Sequence, residues 1–261
     1  MSASAQQDDQ VGAAEVPSPR AAGHRAARPS RARFLLRRAH SLSGVVPLAV
    51  FVVAHLGRQA SALDGPLEHE RAMASTPWFD AHPAIAIVFV LLPLGFHALS
   101  GLAIMRSARP DVQAYTGNRN WRYVAQRLTG VLTLGYLAVH LRQTWIARQL
   151  GELSMSDHYG VLVETLSSTS AGLPWRAALE LAGLAAVCFH LSSGLWGFGC
   201  TWGLTTTRAQ QRRSAIAFGL FGVFLYAYAA NLSLHLSTGA RVVERSLEGS
   251  SPFAWQESAS A

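Results

Sequence analysis

Apolar residues in this chain run in long stretches of a kind that a soluble domain of its size does not tolerate on its surface, separated by short polar connections. A helix of roughly 20 apolar residues crosses a hydrocarbon core of about 30 Å. Five such stretches are legible, from Ser41 to Ala60, Pro83 to Met105, Tyr123 to Trp145, Trp175 to Trp202 and Ser214 to Ser237. The pattern predicts an all-α integral membrane protein with five transmembrane helices. Pro47 and Pro93 fall inside the first two stretches, where each removes one backbone hydrogen bond and bends its helix.

Composition agrees with this reading: half of the 261 residues are apolar and 14% are charged. Residues 1 to 32 are rich in Ala, Ser, Pro and Arg and are expected to form a disordered cytoplasmic tail, with the membrane domain over 33 to 238 and an external, disordered C-terminal tail over 239 to 261. No apolar stretch precedes the first span as a cleavable signal would. Arg37 and Arg38 are read as an orientation anchor in preference to a twin-arginine signal.

Charge sets the expected orientation. All basic side chains other than histidine are arginines, and they concentrate in the N-terminal segment and in the second and fourth connections, for example Arg33, Arg37, Arg106, Arg122, Arg208 and Arg212. The first and third connections carry Asp64, Glu68, Glu70, Asp80, Glu152, Asp157 and Glu164. An arginine excess on alternate connections places the N-terminus in the cytoplasm and the C-terminus outside, in a membrane of the bacterial inner type. The net charge of +7 therefore reflects topology and anionic headgroups; nucleic acid is not an expected partner, because the arginines follow alternate loops and not one face.

Four of the stretches each carry one histidine in their interior: His55, His97, His140 and His190. A buried histidine in a membrane span is costly without a partner, and haem iron is the usual partner for several of them. At about 1.5 Å per residue, His55 and His140 fall in the outer half of the bilayer and His97 and His190 in the inner half. Each pair comes from two helices, as two axial ligands on opposite faces of a haem must. The expectation is a four-helix bundle around two stacked b haems, with irons on the order of 15 Å apart. Gly44, Gly101, Gly130 and Gly183 are among the glycines that allow a flat ring or a neighbouring helix to come close. A rival pairing joins His40 with His97 and His55 with His82; it leaves His140 and His190 buried without partners. His24, His69 and His158 are read as solvated, and His235 as a weak candidate for proton handling.

Other chemistry is absent from the sequence. Cys188 and Cys200 sit twelve residues apart on one helix, about 18 Å, too far for a disulfide. No C-x-x-C-H motif occurs, so haem is not attached covalently. There is neither a nucleotide-binding glycine pattern nor the cysteines of an iron–sulfur cluster.

Specific stretches go further: Arg38-Ala39-His40-Ser41-Leu42-Ser43-Gly44-Val45-Val46-Pro47, Leu92-Pro93-Leu94-Gly95-Phe96-His97-Ala98, Asn120-Trp121, Gln126-Arg127-Leu128-Thr129-Gly130, Phe189-His190-Leu191-Ser192-Ser193-Gly194-Leu195-Trp196 and Thr201-Trp202-Gly203. Over about residues 33 to 238 the chain resembles the dihaem cytochrome b558 membrane subunits of succinate:quinone oxidoreductases, which are similar to the anchors of dihaem quinol:fumarate reductases. The resemblance implies axial ligation by His55 with His140 and by His97 with His190. It also implies a flavoprotein and an iron–sulfur subunit as partners, and electron conduction through the inner and then the outer haem to a membrane quinone, menaquinone. The connection from about Leu150 to Pro174 looks longer than is usual in that family.

For the quinone, Glu68, Glu70, Asp80 and His82 are candidates in the first external connection. Towards the inner haem, His40, Ser41, Ser43, Arg122 and Arg127 are candidates for its propionates, arginine being suited to carboxylates. Two alternatives stay open: the cytochrome b subunit of a fumarate reductase or another respiratory oxidoreductase, and a haem-free membrane scaffold or transporter.

Overall fold

The computed structural model describes residues 31–75, 82–106, 118–153 and 158–249. Asp80 and Asp157 lie outside these, as do the first 30 residues and the last twelve. The described residues are helical, with no strand beyond an isolated bridge between Ser170 and Leu173. Helix α1 covers Arg31–Asp64; α2, Pro66–Ala74; α3, Pro83–Arg106; α4 runs through Asn118–Leu141 and Arg142–Ile146 to Ala147–Gln149; α5 is His158–Ser167; α6, Trp175–Thr201; and α7, Arg208–Gly249. The last helix continues past residue 238, where the apolar pattern stops.

Among the described residues, four helices are long and apolar enough to cross a membrane: α1, α3, α6 and α7 over Arg208–Thr238. At most 28% of the apolar stretch in any of them is buried within the protein, so their large side chains point outward. Phe89, Leu99, Leu220, Val223 and Phe224 are among those exposed, as lipid contact requires. Helix α4 matches them in length but carries Arg119, Arg122, Arg127, Arg142 and Arg148 along it, and falls below the apolar threshold.

Both span prolines leave the same mark. A proline has no N–H to donate, and its ring collides with the carbonyl four residues earlier. Helix α1 answers with a π turn at Gly44–Ala49 that contains Pro47, and α3 with a π turn at Ile87–Leu91, just before Pro93. The strain is taken up by one wide turn while the helix goes on. A third π turn, Arg142–Ile146, follows His140 in α4, where Thr144 Oγ1 donates back to the His140 carbonyl at 2.7 Å. Such turns are over-represented at functional sites.

Helix α6 packs against both α4 and α7, while α1 packs against α3. Leu56, Leu184, Cys188, Leu225 and Ala229 form one core where α1, α6 and α7 meet. A second core joins Ala62, Leu166, Leu232 and Leu236, bringing α5 down onto the ends of α1 and α7. Gly65, with φ at 103°, ends α1, and Pro66 starts α2 at a position where its missing N–H costs nothing. Helices α2 and α5 thereby cap one end of the bundle.

Candidate haem-binding sites

The span histidines lie in two groups. His55 of α1 and His140 of α4 have ring centroids 6.2 Å apart with planes at 87°. His97 of α3 and His190 of α6 are also 6.2 Å apart, at 84°. A metal–imidazole bond is about 2.0–2.1 Å, so two imidazoles on opposite sides of one iron have centroids roughly 6.3 Å apart. Both spacings suit a shared metal, and perpendicular ring planes are compatible with axial ligation on both faces.

His97 and His190 are each held in one tautomer. His97 Nδ1 donates to the His40 carbonyl at 3.0 Å, and His190 Nδ1 donates to the Gln126 carbonyl at 3.1 Å. A carbonyl only accepts, so the proton sits on Nδ1 and Nε2 keeps its lone pair for a metal. Gln126 returns the bond by donating from Nε2 to the His190 carbonyl at 3.1 Å, and its Oε1 accepts from Ser193. Two glycines make the arrangement possible. A Cβ on Gly44 would stand 2.5 Å from His97 Cε1, and one on Gly130 would stand 3.0 Å from His190 Cε1. Each ring rests directly on the backbone of the facing helix.

His40 lies face to face with His97, centroids 4.1 Å apart and planes at 16°. Its Nδ1 donates to the His97 carbonyl and to Ser100 Oγ, both at 3.1 Å. Stacked faces present no lone pairs to a common iron and leave no room for a macrocycle between them. His82, the rival partner for His55, is exposed at the start of α3. Ser41 is half-buried beside His40. Arg127 is half-buried with its guanidinium 4.0 Å from the centre of the Tyr123 ring, and Arg122 and Arg38 stack on Trp196 and Trp202. Cations and amphipathic aromatics gathered at one end of the bundle suit a headgroup boundary.

At the other end, Glu68 is exposed and paired with Arg71 at 2.5 Å, and Glu70 Oε1 accepts from the Tyr159 backbone N–H at 3.0 Å. His69 and His158 overturn the expectation of solvated side chains. His69 is fully buried. Its Nδ1 lies 2.9 Å from Ser61 Oγ and its Nε2 lies 2.7 Å from His158 Nδ1. Ser61 spends its own proton on the Arg58 carbonyl, so the chain runs from His158 N–H to His69 and from His69 N–H to Ser61. Burial pushes both imidazoles below the usual histidine range, His158 to about 4 with the neighbouring His69 adding to the effect. Apolar counting does not see this pair, because it forms only when α2 and α5 fold over the bundle end.

Among the described residues no three or more His, Cys, Asp or Glu side chains converge on one metal position. Two histidines at a time are what haem iron takes from a protein. The residues would fit the group: two pairs of imidazoles 6.2 Å apart, with the tautomers of His97 and His190 fixed by backbone carbonyls and glycines behind both of those rings.

The fold and these histidines define a class: a multi-pass membrane protein, helical throughout its described residues, whose long helices carry paired, half-buried imidazoles. No family model matches the chain. It is 35% identical over 184 residues to the succinate dehydrogenase cytochrome b558 subunit of Bacillus subtilis (strain 168), covering 69% of this chain and 86% of the relative. The chain belongs to the family of succinate dehydrogenase cytochrome b558 subunits.

Proposed function

We propose that this chain is the dihaem anchor of a succinate:menaquinone oxidoreductase, with α4 as the fifth membrane helix and the N-terminus in the cytoplasm. His97 and His190 hold the inner haem b, and His55 and His140 the outer. A flavoprotein subunit oxidises succinate, an iron–sulfur subunit passes the electrons on, and the quinone is reduced near the outer face. When bound, the haems supply one-electron transfer across the bilayer. The chain's own part is to orient the imidazoles. The Gln126 and His40 carbonyls hold the Nδ1 protons, and Gly44 and Gly130 let the rings sit against backbone.

The observation that carries this reading is the pair of 6.2 Å, near-perpendicular imidazole contacts between helices that are far apart in sequence. The test is to purify the chain with whatever assembles on it. The expected result is a b-type reduced-minus-oxidised spectrum at two haems per chain, reducible by succinate, with a flavoprotein and an iron–sulfur protein in equal amount. A colourless preparation contradicts it.

A further inference from the structure

A carboxylate is set inside one of the long apolar helices. Glu180 lies five residues into α6, about 7.5 Å from its start, half-buried in an apolar stretch where an ionisable side chain normally marks function. Tyr136 of α4 donates to Glu180 Oε1 at 2.7 Å. The tyrosine ring is buried, with its centroid 5.6 Å from that of His140. Helix α6 is shaped for it, since a Cβ at Gly183 would overlap the Tyr136 ring well inside van der Waals contact. A cavity of about 30 Å³, room for a water molecule, opens where these groups meet, its polar wall made by Tyr136, His140, Gln143, Thr165, Arg176 and Glu180. The carboxyl, the phenol and the edge of an outer haem ligand thus share one small polar space under α5.

We propose that Glu180, paired with Tyr136, is the proton donor to the quinone, with this water-sized cavity as its proton supply. The proposal rests on the reading above of a quinone reduced beside the outer haem. Reduction adds two electrons and two protons, turning both quinone carbonyls into hydroxyls with one new O–H bond each. The electrons are those released as succinate is oxidised to fumarate. Glu180 passes a proton to one quinone oxygen and is reprotonated from water at the outer face, the other oxygen takes its proton from that water, and Tyr136 holds the carboxyl in place and lines the path. Glu68 and Glu70 stand in the cap, bonded to Arg71 and to the Tyr159 backbone N–H.

The test uses the assembled complex and a short-chain naphthoquinone as acceptor. E180Q is expected to keep both haems and their reduction by succinate. Its quinone reduction should fall about 100-fold, as loss of a general acid predicts, with the haems standing more reduced in steady state. E180D should recover part of the rate with a shifted pH profile, and Y136F should fall between. Full quinone reduction in E180Q, or loss of the outer haem in E180Q and E180D alike, overturns the proposal; the second result would make Glu180 a structural support for His140. A wild-type complex without haem or without quinone reduction would instead defeat the underlying reading.

Discussion

The imidazoles of the inner pair are positioned by backbone, and that gives the glycines behind them a measurable role. A side chain at residue 130 would push into His190, and one at residue 44 into His97. G130V and G44V are each expected to lose the inner haem and keep the outer, so haem per chain falls from two to one in a pyridine haemochrome assay. Gln126→Leu should act more mildly, weakening inner-haem retention about 10- to 100-fold, because the carbonyl contact survives while the return bond and the Ser193 contact go. The four span histidines and Gly130 are legible in the sequence as residue types. Gln126 and Tyr136 are not, because their partners sit 64 and 44 residues away and only helix packing brings them together.

At the scale of elements, each proline produces a π turn, and a π turn amounts to one extra residue inserted into an α-helix. Removing Val46 from the turn in α1 should restore a regular helix and leave His55 on its face. Removing Val53, in the regular segment Val50–Gln59, should rotate His55 by about 100°. The expected readout is two haems in the first deletion and loss of the outer haem in the second. The cap formed by α2 and α5 carries its own signature. His158 is held at about 4 against 6.5 for a free histidine, so the folded cap binds fewer protons than the unfolded chain between those values. Its stabilising effect is complete above pH 6.5 and is lost as pH falls towards 4. Thermal melting of the complex should drop across that window, and more steeply than in a His158→Phe variant. Helices α1, α3, α6 and α7 are visible as apolar runs, whereas α4 is blurred by its arginines, and α2 and α5 are too short and mixed to announce a cap.

For the whole molecule, the proposed wire from an inner to an outer haem would carry charge across the bilayer, where each elementary charge is worth about 2.3 kcal/mol per 100 mV. Succinate is a weak reductant for menaquinone, so the proposed function predicts that the membrane potential drives turnover. Uncouplers should slow succinate-dependent menaquinone reduction in intact cells while leaving it unchanged in detergent-solubilised complex; equal rates in cells with and without uncoupler would remove this coupling from the account. The membrane class and the four histidines that pair are legible along the chain, but the contacts among helices arise only in the fold. The most direct test of the central claim counts haem in alanine variants of six histidines. His55, His97, His140 and His190 are each expected to lose one haem when replaced, while His40→Ala and His82→Ala retain both. Haem loss in the last two, with both haems kept in His140→Ala, would contradict the pairing.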